Sequence, residues 1–245
     1  MRLSNYLTET QIPPTSIIKS TIEFINDTTN PEFLTMVKKQ KKMLYRGLSV
    51  WYPENKAHIV ANKNKDRIPK DTPIEIHNGL NKMFNKKFGW NVRNGIFTVS
   101  SIHTATYYGV PHCFFPIGNY EYVSSNKIGD LFNSQQTFSK GLKNYIINGV
   151  LEETEIKRAY DNEVKFYPNL AYDKFKVRYI RKINREFKSF IDSYSDKNLQ
   201  FAIQRNCEIS FNCDKYILAK IDIEPWFFGP ELRIFAKQSP VRVIK

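Results

Sequence analysis

Apolar residues recur at helical spacing near the start of the chain. Ile18, Ile22 and Ile25 predict an amphipathic helix over residues 15–27. A second helix follows from Asn30-Pro31-Glu32, where Asn suits the cap, Pro the first helical position and Glu the positive end of the dipole. It runs to about Lys42. LYRGLSVW (44–51) then reads as a first strand, and the polar stretch 53–70 as a loop. Asp71-Thr72-Pro73 opens a helix that carries Ile74, His77, Asn81, Phe84 and Phe88 on one side, with Gly89 as its stop. GIFTVSS (95–101) is a strand running into a turn, HTATYYG (103–109) a short helix, and CFFPIG (113–118) and YEYVSS (120–125) short strands. At least one helix falls within 138–168. The clearest amphipathic helix spans 173–194, with Phe175, Tyr179, Ile183, Phe187 and Phe190 on one stripe. Lys174, Arg178, Arg181, Arg185 and Lys188 make another. CEISF, YILAKIDI, LRIFA and VRVIK follow as strand-like segments in quick succession.

This order gives an α+β reading: an N-terminal helical appendage over 1–42 and a main domain over 43–245. Few crossovers are long and regular enough for a doubly wound parallel sheet. No apolar run approaches the roughly 18 residues of a membrane span, and the N-terminus has no apolar h-region. Three cysteines, Cys113, Cys207 and Cys213, are too few and too scattered for a disulfide framework, which points to a reducing cytoplasm. The net charge of +13 favours a polyanionic partner, nucleic acid first. The basic stripe on the 173–194 helix has the same two readings as any charge run: a solvated face, or a phosphate-positioning surface.

Candidate chemistry is concentrated in three stretches. In YRG (45–47) a cation and a bare backbone interrupt an apolar run. Arg46 is either the solvent face of an edge strand or a grip for an anion or ribose. Gly47 is either a bulge or a place where a ligand approaches the backbone. The other two stretches are GIFTVSSIHTATYYG (95–109) and NCEISFNCDKYILAKI (206–221). The four histidines share no metal spacing with carboxylates, and no phosphate-binding glycine loop is present. Arg67, in DRIPKDT, is a candidate to close over a ligand, although helix capping by Asp71 or Thr72 explains most of that segment.

In order, the three stretches resemble the signature strands of the ADP-ribosyltransferase superfamily: an aromatic-Arg strand, a strand ending in Ser/Thr-Ser, and a Glu at the head of a late strand. The second is also similar to the poly-ADP-ribose polymerase branch. The resemblance implies a split β-sandwich core of two packed sheets around a cleft for NAD⁺, and mono-ADP-ribosyl transfer without a metal. It implies Glu208 on the ribose 2-hydroxyl, Arg46 on phosphate or ribose, and Gly47 offering its backbone to the nicotinamide amide. Ser100 or Ser101 would brace Glu208 and the ribose beside Thr98, with Tyr107 or Tyr108 stacked on the nicotinamide ring. The acceptor loop would lie in 196–206, read by Gln204, Arg205 and Asn206. Two positions depart from the family pattern: Val99 stands where a Ser is expected, and Asn206 where branches carry Glu or Gln. Asn206 cannot act as a base for a guanidinium, so the favoured acceptor is nucleic acid, with a host protein next. In overall character the chain resembles a tailed-phage protein, which implies host takeover in a bacterial cytoplasm, whether carried in the virion or made after infection. The alternatives are a basic nucleic-acid-binding protein without catalysis, and a degenerate fold member serving as an interaction module.

Overall fold

The structure is a computed structural model that describes residues 15–49, 57–62, 67–69, 72–125, 127, 138–220 and 227–228. LRIFA, VRVIK and Asp71 lie outside the described residues. Among the described residues the fold is mixed α+β with two antiparallel sheets of four strands each. The chain divides into two compact units, residues 1–61 with 101–119 and 213–245, and residues 62–100 with 120–212. The boundary expected at residue 42 is not among these divisions.

The first unit holds α1 (Thr15–Thr28), α2 (Pro31–Gln40), β1 (Tyr45–Leu48), β2 (His58–Ala61), α4 (Ile102–Thr106), β4 (Val110–Ile117) and β8 (Lys215–Lys220). Its strands lie in the order β1-β4-β8-β2. Asn30 caps α2 as its sequence predicts, accepting from the backbone of Glu32 and Phe33, both at 3.0 Å. The same residue ties the helix to the sheet through its amide, which donates to the Gly118 carbonyl at 2.9 Å, and its backbone N–H, which donates to Pro116 at 3.0 Å. Phe33 then meets Phe114 edge to face. Helix α2 therefore packs on the core of Leu44, Phe114, Phe115 and Ile217. Strand β2 is a correction to the loop expected over 53–70: His58–Ala61 pairs with β8 from Leu218 to Lys215. Its four residues sit between polar flanks and Ile59 is exposed, so its period of two is too short to read.

The second unit holds α3 (Ile74–Phe88), a 3₁₀ turn (Val92–Asn94), β3 (Ile96–Thr98), β5 (Glu121–Ser125), α5 (Lys140–Asn148), α6 (Glu153–Glu163), α7 (Tyr172–Asp192), β6 (Tyr194–Ser195), α8 (Leu199–Gln204) and β7 (Ile209–Asn212). The strand order is β3-β7-β5-β6. Leu80, Phe84, Ile146, Ile183 and Phe190 centre its core. Helix α7 buries Phe175, Ile183 and Phe190 as the stripe predicts. Gly89 ends α3 in the left-handed conformation at φ 82°, its N–H donating to Asn85. The start of α3 differs from expectation. Pro73 occupies the cap without a side-chain bond, and the Thr72 hydroxyl instead accepts from the Arg93 guanidinium at 3.2 Å. The expected acceptor loop over 196–206 contains a helix, α8, which the short apolar set Leu199, Ala202 and Ile203 anchors.

Among the described residues no helix is long and apolar enough to cross a membrane. The cysteines are free and buried.

Candidate functional site

The first unit places Arg46 on β1 with its neighbours set by register. Arg46 pairs with His112, and His112 with Lys220, so the three form one row across β1, β4 and β8. The Arg46 guanidinium lies 5.5 Å from the Tyr216 ring centroid. Its Nη1 is buried and has no hydrogen-bond partner among the described residues. His112 is only 2% exposed. Burial holds its pKa below the ordinary value; a bond to the Val110 carbonyl opposes this, while His58 and Lys220 push the same way as burial. Nearby Cys213 is pushed up to about 12 by burial and by Asp214, against the pull of Arg46. It is therefore an inert thiol.

Gly47 has a packing explanation. A Cβ there would lie 2.2 Å from the Ala105 carbonyl oxygen, 2.8 Å from Tyr108 Cβ and 2.9 Å from its carbonyl carbon. The backbone of α4 thus occupies the space that any side chain would need. Ser101 is likewise accounted for: it caps α4, accepting from Thr104 N at 3.2 Å. Tyr107 is 74% exposed and meets His103 edge to face, and Tyr108 is 45% exposed. Both tyrosines are accessible.

The second unit joins Ser100 to Asn206 by a hydrogen bond, with Glu208 two residues farther along the chain. Helix α8 ends in a left-handed turn at Asn206, φ 55°. The N–H of Asn206 reaches Ile203 and that of Cys207 reaches Ala202, the paired bonds of a Schellman ending. Asn tolerates this conformation better than most residues, which supplies a backbone reason for it here. The turn brings the Asn206 Oδ1 within 2.7 Å of Ser100 Oγ, which also lies 2.5 Å from the Ile203 carbonyl, so one hydroxyl proton serves two acceptors. Glu208 follows two residues on, half-buried, directly before β7. Thr98 is a correction. It is 1% exposed and its hydroxyl donates to the Ile209 carbonyl at 3.3 Å, because the β3–β7 pairing turns it into the core. It holds a strand together and offers nothing to a ligand. Val99 is buried too, at 5%, so it fills core space. Gln204 and Arg205 are exposed on the same turn, Arg205 lying over Phe201 at 5.2 Å.

The basic stripe is on the surface of the second unit. Lys174, Arg178, Arg181, Arg185 and Lys188 are all exposed. Arg178, Arg181 and Arg185, joined by Lys182, line a cleft of about 420 Å³ with Phe175 and Tyr179. Those two rings are stacked, 5.4 Å apart at 18°. Arg178 is partly committed, its Nη2 lying 3.1 Å from Glu163. Lys174 and Lys188 do not line this cleft.

One feature of the second unit escaped the sequence reading: a polar cleft beside α3. Its legible signal was five asparagines at 78, 81, 85, 91 and 94. Among the described residues no group of three or more His, Cys, Asp or Glu is arranged to hold a metal ion. No family model, curated protein or solved structure matches the chain.

Proposed function

We propose that the protein is a mono-ADP-ribosyltransferase that cleaves the nicotinamide–ribose bond of NAD⁺ and transfers ADP-ribose to a macromolecular acceptor, nucleic acid first and host protein next. The observation that carries the reading is Arg46. Its buried Nη1 has no partner among the described residues, and an unpartnered buried donor costs about 1–3 kcal/mol, more when charged. A phosphate or ribose oxygen would relieve that cost through a charge-assisted bond. The cations Arg46 and Lys220, in one row with the buried His112, favour an anion at the same face. The ordered motifs and the pair of antiparallel sheets accord with the split-sandwich core the resemblance implies.

Each residue has a chemical task in this reading. The Glu208 carboxylate accepts a hydrogen bond from the ribose 2-hydroxyl, and the bond strengthens as the sugar gains positive charge. The C1′–N bond breaks with its electron pair going to the nicotinamide, which leaves neutral and needs no strong acid. The acceptor's nucleophile forms the new bond to C1′ and releases a proton. Ser100 braces this corner through Asn206 and the Ile203 carbonyl. Exposed Tyr107 or Tyr108 supplies a ring for the nicotinamide. Gln204, Arg205 and Asn206 present the acceptor-reading edge. The setting is a bacterial cytoplasm during phage infection.

The test is incubation with labelled NAD⁺ and, separately, host protein, DNA and RNA, with Glu208→Gln alongside. Label should enter one pool and fall about 10²-fold or more in the variant. Full transfer by Glu208→Gln would remove that residue from the chemistry. The absence of both label and nicotinamide release would overturn the NAD⁺ reading and leave a fold used for interaction.

A second reading rests on a different observation, the arginine-lined cleft with stacked Phe175 and Tyr179. The half-buried Tyr179 ring beside three guanidinium groups suits a nucleic acid strand. A protein that only binds would associate without NAD⁺ and dissociate steeply with salt.

A further inference from the structure

The polar cleft beside α3 lies wholly within the second unit and uses none of the motif residues. Its volume is about 450 Å³, within the roughly 300–1,000 Å³ of small-molecule sites. Helix α3 contributes His77, Asn78 and Lys82. After Gly89 reverses the chain, Asn91 and Asn94 come in from the next turn, and Arg67 completes the rim. Among the described residues no carboxylate lines the cleft, and two of the lining side chains are cationic. That lining selects for an anion.

Behind the lining is a braced network. Asn81 accepts from the Arg93 N–H at 2.9 Å and donates to Asn94 Oδ1 at 2.9 Å. His77 Nε2 lies 3.0 Å from Asn94 Oδ1 and 3.1 Å from Asn81 Nδ2. His77 is 2% exposed, and its Nδ1 is buried without a partner among the described residues. If Nε2 carries the proton, Nδ1 is an orphan acceptor; if Nε2 accepts from Asn81, Nδ1 is an orphan donor. Burial first, and then the charges of Arg93 and Arg67, hold the ring in its neutral form against the bond to Asn94. Arg67 and Arg93 both lie over the Phe97 ring, 5.2 and 5.6 Å from its centroid.

We propose that this cleft binds a nucleotide, its phosphate on Arg67 and Lys82 and the polar edge of its base against the amides of Asn78, Asn91 and Asn94. Three amides are more than a bare phosphate needs. Asn78 offers a donor and an acceptor side by side, the pairing capacity of a base edge, and Asn91, whose Oδ1 accepts from Asn85 at 3.3 Å, adds its amide donor. The inference does not rest on the NAD⁺ reading.

The test is direct titration of the folded chain, without NAD⁺, by calorimetry. The probes are the four common nucleoside 5′-monophosphates, inorganic phosphate and a single-stranded deoxyhexanucleotide. Asn78 and Lys82 are exposed on a helix, so Asn78→Ala/Lys82→Ala should fold normally. At least one monophosphate should saturate the wild type, bind more tightly than phosphate, and weaken tenfold or more in the double variant. A hexanucleotide that binds more tightly still identifies a strand as the source of the nucleotide; equal binding identifies free nucleotide. No saturable binding of any nucleotide probe, equal affinity in the variant, or phosphate binding as tightly as the nucleotides would overturn the proposal. Nothing is turned over in this experiment, so a failed transfer assay leaves its result standing.

Discussion

Gly47→Ala separates two explanations for the bare backbone in the YRG strand. The new Cβ would lie 2.2 Å from the Ala105 carbonyl oxygen, where ordinary contact begins at 3.4 Å. The next neighbours, Tyr108 Cβ and its carbonyl carbon, are at 2.8 and 2.9 Å. None of the three can rotate away, because two belong to the backbone and the third is fixed to it. Relief requires β1 and α4 to separate, and overpacking of this kind costs about 1–3 kcal/mol. The opposing effect is entropic: replacing Gly by Ala narrows the unfolded ensemble and returns about 0.5–1 kcal/mol. The overlap wins, leaving a net loss of about 1–2 kcal/mol. For a chain of this size that lowers Tm by roughly 2–8 °C.

The assay is scanning calorimetry of wild type and variant, with the urea midpoint as a second measure. If the glycine exists to admit α4, both fall whether or not any ligand is present. An unchanged or raised Tm together with lost ligand binding would refute the packing argument and return Gly47 to a binding role.

Three further outcomes follow from other sites. His77 and His112 are held below the ordinary value of 6.5, chiefly by burial. A folded value below the unfolded one gives stability that is complete above about pH 6.5 and is lost as pH falls through the folded values. His112→Gln should therefore flatten the decline in urea midpoint from about pH 7 to pH 5, and an undiminished slope would contradict its buried neutral state. If the stripe on α7 meets phosphates, Arg178→Ala/Arg181→Ala/Arg185→Ala should reduce the log–log salt slope of nucleic acid binding by about 0.7–0.9 for each phosphate no longer neutralised. Arg178 should give the smallest share because Glu163 already holds it, and an unaltered slope would make the stripe a solvated face. Ser101→Ala should cost about 1 kcal/mol by uncapping α4, and a neutral result in thermal denaturation would deny that role.

Legibility tracked how many residues carried each signal. Helix α7 is readable because five apolar positions repeat along its length, and burial follows the same stripe. Helix α2 is readable because its start concentrates capping chemistry in Asn30-Pro31-Glu32. Strand β2 is not, since four residues offer only two alternations and its partner lies far along the chain, at Lys215–Leu218. Helix α8 reads as a loop because its six residues are shorter than a window in which a period of 3.6 becomes visible. At the candidate site, proximity in sequence misleads once. Thr98 lies close to Ser100 in the chain, but the ladder to Ile209 sends its side chain into the core while Ser100 stands past the strand's end. The bond of Ser100 to Asn206 joins residues 106 positions apart, which no local pattern encodes.

Arg46 and Gly47 show how one short motif can answer two demands. They are neighbours on a strand, so their side-chain directions point to opposite faces of the sheet. The face of Gly47 is filled by the backbone of α4. The face of Arg46 carries His112 and Lys220 in the same row, with the Tyr216 ring nearby. The glycine is thus explained by the fold alone. The arginine is not: folding has left its side chain half-buried with Lys220 in the same row, and has shut off one guanidinium nitrogen without a partner among the described residues. A residue serving only an edge strand would keep its charge in water, where it costs nothing. The cost of this placement falls on stability, and in the proposed transferase reading the return is a donor held ready for an anion.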